Sequence, residues 1–389
     1  MKFVSNRINF LDAISKFINF AFIYSLGEKM QIGIIGLPYS GKTTLFQTIT
    51  QTQIDQFSFR KETNQAIVKV PDSRLDKLTS IFNPKKKVNA TIEFVDLVGV
   101  QKTDKTSSMF NSQFISKVRT NDAFLHVVRA FDDPAVPHPN LSIDVERDIR
   151  LIEDEFFLND MAFLESRFEK LEKDMMKQKN KDEVKKELEI MKKWHSTLES
   201  GLPLREIELT DDDLKYIKNY QPLTAKPLMI AVNFSENEIK NSDSIISKIR
   251  NTFKGNKIRI EPFFAKIELE LSSLSDDERA IFMEEYGLTE SPLEKMIRNA
   301  YELLGLQSFF TVGEDECRAW TIKKGYTAQE AAGVIHTDFY NKFIRAEVVS
   351  YEDFIREGSF AKCKEKGLFR LEGKEYIVQD GDIINVRHG

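Results

Sequence analysis

The sequence predicts an α/β chain in three parts: a mostly parallel sheet with crossover helices, an antiparallel helical hairpin inserted into it, and a C-terminal α+β module. Three observations carry this. From Met30 onward, short β-rich runs alternate with helical ones, the pattern of strands joined by crossover helices. Between Asn140 and Gln221 the alternation stops, and Phe157, Met161, Leu164, Phe168, Leu171 and Met175 form a heptad stripe. After Phe309, β-rich runs return on either side of one short helical segment.

Bulk properties bound the answer. At 389 residues the chain exceeds one ordinary domain. Its net charge of −5 gives no global electrostatic case for nucleic acid, so such a partner needs a local basic face. Cys317 and Cys363 are too few and too far apart for a disulfide framework or a cysteine-rich zinc site, and the histidines are scattered. An intracellular, reduced, cytoplasmic protein with no membrane partner is expected. Residues 1–29 mix Lys2, Arg7, Asp12 and Lys16 with apolar positions and offer no run long enough to span a bilayer. They read as an extension or an amphipathic targeting segment outside the fold, the extension being favoured because Met30 abuts the first strand.

Strands are expected at 31–35, 66–70, 91–96, 123–128, 228–233 and 257–264. Ligands in such sheets lie beyond the carboxyl ends of the strands, so the residues where each run stops matter most. The first run stops at Gly36-Leu37-Pro38-Tyr39-Ser40-Gly41-Lys42-Thr43, followed by Thr44 and a helix. This is the G-x-x-x-x-G-K-[ST] spacing of a phosphate-binding loop. Gly36 and Gly41 permit the backbone turns that aim successive N–H groups at one point. The helix adds its unpaired N–H groups and positive dipole end. Lys42 can reach β- and γ-phosphates, and the Thr43 hydroxyl can serve Mg²⁺.

The 91–96 run ends in Asp96-Leu97-Val98-Gly99. A carboxylate there can hold a water on Mg²⁺, and the Gly99 N–H can meet the γ-phosphate. The 228–233 run ends in Asn233-Phe234-Ser235-Glu236. GTP-binding proteins place Asn-Lys-x-Asp at this point, the aspartate pairing with guanine. Glu236 is a methylene longer and Phe234 replaces the lysine, which misplaces the atoms that guanine needs. The next run ends in Phe264-Ala265-Lys266-Ile267-Glu268, where backbone N–H groups of Ala265 and Lys266 can close over a base.

The heptad stripe is followed by a polar break, Lys177-Gln178-Lys179-Asn180, and then by Val184, Leu188, Met191 and Leu198 at near-helical spacing, which makes a hairpin. A helix is expected over 292–304, capped by Ser291, opened by Pro292 and stopped by Gly305. The tail reads as strands near 310–312, 319–322, 346–349 and 383–386, with a helix over 328–334 opened by Thr327 and Glu330 at capping-box spacing.

Taken together, these stretches resemble the YchF subfamily of Obg-related P-loop nucleotidases, the Obg-like ATPases. The resemblance runs from Met30 onward. It rests on the phosphate loop, Val70-Pro71-Asp72-Ser73-Arg74-Leu75, Phe94-Val95-Asp96 with Gly99, His126-Val127-Val128-Arg129 and Asn233 to Glu236. Further on it rests on Phe309-Phe310-Thr311-Val312-Gly313, Arg318-Ala319-Trp320-Thr321 and Ala332-Gly333-Val334-Ile335-His336-Thr337-Asp338-Phe339. It implies a P-loop NTPase G domain (30–140 and 221–306), a helical hairpin insertion (141–220) and a C-terminal TGS-like β-grasp domain (307–389). It also implies ATP, with GTP as a second possibility, as ligand and substrate, Mg²⁺ as cofactor, and a ribosome or RNA partner. By the same carry-over Lys42, Asp96 and Gly99 serve catalysis and Thr43 and Asp96 the metal. Gly36, Pro38, Tyr39, Ser40, Gly41, Lys42, Thr43, Thr44, Asn233, Phe234, Glu236, Ala265 and Lys266 hold the nucleotide.

The chain departs from the family in its switches. Tyr39-Ser40 stands where the family has Asn-Val, and Arg60 stands at the position of the first switch's threonine, with Thr63 out of register. No glycine occurs between Val100 and Phe114, and Val100 stands where Ras-like enzymes keep a water-orienting glutamine. Three readings stay open on these residues: a slow ATPase, a nucleotide-regulated ribosome- or RNA-binding protein with little hydrolysis, and a GTPase proper. Lys85-Lys86-Lys87, His336 and Trp320 are the candidates for contact with nucleic acid.

Overall fold

The chain opens on β1 (Gln31–Ile35) and α1 (Lys42–Thr52), then β2 (Ile54–Arg60), β3 (Thr63–Lys69), α2 (Ser73–Phe82) and β4 (Lys86–Val88). Next come β5 (Thr91–Asp96), α3 (Ser112–Arg119), β6 (Ala123–Arg129), the long helices α4 (Val145–Met176) and α5 (Lys181–Glu199), and α6 (Asp211–Tyr220). β7 (Leu228–Asn233), α7 (Ile239–Thr252), β8 (Ile258–Phe263), α8 (Ala265–Ser272), α9 (Asp276–Glu285) and α10 (Pro292–Leu303) follow. The last part holds β9 (Leu306–Thr311), β10 (Glu316–Lys323), α11 (Ala328–Ile335), α12 (Thr337–Asn341) and β11 (Phe343–Ser350). It closes with α13 (Tyr351–Glu357), α14 (Phe360–Glu365), β12 (Arg370–Glu372) and β13 (Asp382–His388). This computed structural model describes residues 30–52, 54–60, 63–97, 110–176 and 181–389. Contacts divide them into two units, one of Met30–Val68 with Glu93–Leu303 and one of Lys69–Ile92 with Leu304–Gly389.

The first unit is built on a seven-stranded sheet of order β2-β3-β5-β1-β6-β7-β8. β1 runs parallel to β5 and β6, β7 parallel to β6 and β8, and only β2 is shown antiparallel, to β3. Parallel strands covered on both faces must be apolar throughout, and Ile32, Ile34 and Ile35 of β1 are all buried. Register aligns the carboxyl ends, with Arg129 beside Asn233 and Asn233 beside Phe263, so the polar end residues fall along one edge of the sheet.

α4 has two jobs along its length. Ile149, Ile152 and Phe156 pack into the sheet core with Phe124, whereas Leu164 and Leu171 pack with Met191, Trp194 and Leu198 of α5. The stripe from Phe157 to Leu171 is therefore the hairpin seam, Met175 at its expected end is exposed, and the expected break at 177–180 lies outside the described residues. Asp160, fully buried, accepts bonds from Leu223 N, Thr224 N and the Thr224 hydroxyl and ties the hairpin to the chain that re-enters the sheet. Trp194 donates its indole N–H to Asp213 at 2.8 Å.

The second unit carries a six-stranded mixed sheet of order β12-β11-β13-β9-β10-β4. The parallel pair β13/β9 lies at its middle, and α11 packs Ala328 and Ala331 against Phe309, Ile322 and Val348 in the β-grasp manner. The Thr327–Glu330 capping box forms as the sequence spacing predicts. One difference from the sequence reading is clear. Residues 69–92, counted there within 30–140, group with the C-terminal module. β4 pairs parallel with β10, and Arg74 of α2 bonds Asp380 at 2.8 Å. A three-residue strand of Lys-Lys-Val shows no local β pattern, since its stability comes from a partner far along the chain. Both cysteines are free and buried.

Candidate functional site

The loop after β1 is held by backbone conformations that few residues adopt. Gly36 has φ +146°, Tyr39 +62° and Gly41 +100°. A Cβ on Gly36 would stand 2.3 Å from the Val127 carbonyl oxygen, and one on Gly41 would stand 2.3 Å from Asn233 Nδ2. Both positions therefore require glycine. α1 begins at once, with Leu45 N donating to Gly41 O at 2.9 Å and no acid in its first turn to occupy the positive end. Tyr39 turns outward to solvent, while Ser40 is buried with its hydroxyl unpartnered.

Lys42 folds back over the loop, its Nζ donating to Gly36 O at 2.9 Å and Leu37 O at 2.6 Å. Burial pushes its ammonium down to about 8, with the Asp96 charge opposing. Asp96, buried at the end of β5, is pushed above the usual carboxylate range by burial, opposed by Lys42 and by a hydrogen bond from the Asn64 side chain. Thr43 is exposed in the first turn of α1. No group of three or more His, Cys, Asp or Glu side chains among the described residues could hold a metal by itself. A hydroxyl and a carboxylate are the oxygen donors that suit Mg²⁺, an ion that takes few protein ligands and completes its shell with water and phosphate.

At the other end of the edge, Asn233 bridges two elements. Its Nδ2 donates to Ser40 O at 3.1 Å, and its Oδ1 accepts from Ala265 N at 3.2 Å. Ala265 is the first residue of α8, so the backbone N–H groups expected to close over a base lie at a helix N-terminus. Glu236 opens a short turn braced by the Ser235–Glu238 capping box and pairs with Lys266. The Lys266 hydrogen bond holds the Glu236 carboxyl below its ordinary value. Phe234 is placed differently from expectation: its ring is buried in the core beside Phe264 at 5.9 Å, and its N–H bonds Phe263 O. Gly99, the 98–109 segment and the side chains of Arg60 and Thr63 lie outside what the structure describes.

The structure adds Asn64, His126, Arg129 and Phe131. His126 is fully buried with both ring nitrogens unpartnered, and burial, with Lys42 nearby, pushes it down to about 3, so it is neutral. Arg129 donates from Nε to Phe131 O at 3.0 Å and lies 4.5 Å over the Phe131 ring, leaving Nη1 unpartnered. Ala130 N bonds Asn233 O, which puts Phe131 next to the Asn233 end. A histidine and an arginine inside an otherwise apolar strand were the available signal. The expected nucleic-acid contacts fare unevenly. Lys85, Lys86 and Lys87 pair with Asp315, Glu316 and Asp76, so they do not form a free basic patch. Trp320 stacks on Phe309 and donates to Thr311, whereas His336 is exposed and caps α12.

Comparison with known proteins fits this geometry. Residues 31–193 match the family described as 50S ribosome-binding GTPase, and residues 306–389 match the YchF-GTPase C-terminal family, described as a protein of unknown function. The ribosome-binding ATPase YchF of Bacillus subtilis (strain 168) is 43% identical over 91% of this chain and 98% of its own length. That of Mycoplasma genitalium is 38% identical over 92% and 99%. The solved structure of the Schizosaccharomyces pombe YchF GTPase superposes with a TM-score of 0.82 at 32% identity, covering 93% of this chain and 98% of that one. Matched from the first strand to the last module, the chain belongs to the YchF family.

Proposed function

We propose that this chain is an Mg²⁺-dependent, slow ATPase that works on the ribosome, holding the triphosphate at Gly36 to Thr44 and the base between Asn233, Glu236 and α8. The observation that carries the adenine choice is Glu236, drawn to Lys266 at the place where a guanine site keeps an aspartate. A longer acid engaged by a lysine is poorly set to take both guanine N–H donors. The related proteins named ribosome-binding ATPases support the ATP and ribosome parts of the reading.

When bound, Mg²⁺ would neutralise charge on the phosphates, with the Thr43 hydroxyl and the Asp96 carboxylate as the groups that hold it. Asn64 orients that carboxylate. Lys42 exchanges the Gly36 and Leu37 carbonyls for phosphate oxygens, a better partner for an ammonium. Neutral His126 keeps a second positive charge away from Lys42. Titration with ATP and GTP tests the base choice, and tighter GTP binding would sink it. Phosphate release with Mg²⁺, set against Lys42→Ala, tests turnover. Equal release from both proteins would leave the binding protein without hydrolysis as the surviving reading. Co-sedimentation with ribosomes, with and without ATP, tests the partner.

A further inference from the structure

α8 carries the base end of the site on its first two residues, Ala265 and Lys266, and what fixes α8 lies one turn further on. Glu268 is 1% exposed. Its Oε1 accepts from Leu293 N at 2.9 Å, and its two oxygens accept from the Ser291 hydroxyl at 3.0 and 2.9 Å. Those donors sit at the start of α10. Pro292 has no N–H, so Leu293 supplies the first free donor of that helix, and Ser291 Oγ takes the next from Glu294 N at 3.3 Å. A side chain of one helix thus caps another, where a helix usually caps itself.

We infer that Glu268 is a positioning residue for nucleotide binding: by capping α10 it holds α8, and with it Ala265 and Lys266, at the base end of the site. The inference rests on the reading of that end as the base site. It also makes binding sensitive to pH. Burial pushes the Glu268 carboxyl up to about 7, opposed by the Leu293 and Ser291 hydrogen bonds. The charged groups around it are Arg279 of α9 and Glu294 of α10, which pair with each other at 3.0 Å and largely cancel. α1, packed along α8, brings Lys42 as its one titratable side chain. The value in the docked helix lies above the ordinary one, so the docked form binds the proton more tightly. Docking is therefore firmest below the ordinary carboxylate value, weakens as pH rises toward 7, and is flat above it.

The test compares the full-length protein with Glu268→Gln, a neutral side chain of the same shape, from about pH 5 to about pH 8. Amide-exchange protection of α8 without nucleotide should fall about tenfold across the range in the wild type and stay flat in the variant. ATP affinity should fall about threefold to tenfold in the wild type, beyond the titration of ATP itself that both proteins share. Ser291→Ala removes a donor that favours the ionised form, so it should carry the upper end of the window to higher pH. Equal protection slopes in wild type and Glu268→Gln overturn the inference, as does an ATP affinity that keeps its wild-type slope in the variant. Failure of ATP to bind either protein would sink the base-site reading instead, and the exchange arm, which needs no nucleotide, still decides whether Glu268 fixes α8.

Discussion

The two ends of the candidate site are made of different materials. The phosphate end is backbone: a loop whose glycines are enforced by the Val127 carbonyl and by Asn233, and a helix N-terminus. The base end is side chains: an asparagine reaching two elements, a glutamate–lysine pair and a helix fixed by a buried acid. Backbone geometry tolerates replacement of the side chains it displays, so Tyr39-Ser40 can stand in the loop without dismantling it. A side-chain site has no such tolerance, because each atom is its own recognition element. Sequence drift at the first end should therefore alter stability, and drift at the second should alter which base is chosen.

The largest effect is expected at Lys42, on which the phosphate end depends together with Thr43 and Asp96. Lys42→Ala should weaken ATP binding or turnover by about a hundredfold or more, read by calorimetry and phosphate release. Asn233→Ala comes next. It strands the buried Ser40 carbonyl and the Ala265 N–H, so it should cost about 1–3 kcal/mol of stability in denaturant melts and should weaken nucleotide at both ends. Glu236→Asp shortens the base-end acid, and the ATP-to-GTP affinity ratio should move toward GTP by about tenfold while phosphate contacts hold.

Smaller effects sharpen the contrast. Burial holds Lys42 down to about 8, and a bound triphosphate would favour its charged form. Binding above pH 8 should therefore take up a proton. In Glu268→Gln, which lacks the titration near 7, binding enthalpies measured in buffers of different ionisation heat should differ at about pH 9 and converge at about pH 7. Ser40→Ala removes a buried hydroxyl without a partner, and should raise stability by about 1 kcal/mol in denaturant melts. A fall in stability would mean that the hydroxyl has a role in the loop.

How much could be read beforehand follows the same division. β1, the loop and α1 were legible because glycine spacing and a β-rich run are local signals. The Thr327–Glu330 box and the Ser291–Pro292 helix start were legible for the same reason. Asn233 and Glu236 could be picked out by position, yet their partners could not. That Ala265 and Lys266 open a helix was not legible, because nothing in Phe264-Ala265-Lys266 announces a cap, and Phe264 gives none. β2 escaped notice because its mixed Ile54–Arg60 run has no clean alternation, and pairing with β3 decides it. Phe234 was assigned to the base from its place in the quartet. Its burial beside Phe264 depends on strand geometry that no local pattern encodes.

β4 has a consequence for how the protein is made. Lys85 and Asp315 form an ion pair across 230 positions of chain, and the strand beside Lys85 completes a sheet whose other members are all synthesised later. At about 5–20 residues per second, residues 69–92 wait on the order of 10 to 50 s on the ribosome before their partners emerge. Through that interval an extended Lys-Lys-Val segment stays unpaired, and its lysines guard against the edge-to-edge association that an apolar strand would invite. A module completed late in synthesis is therefore the one that takes in a segment made in the first quarter of the chain.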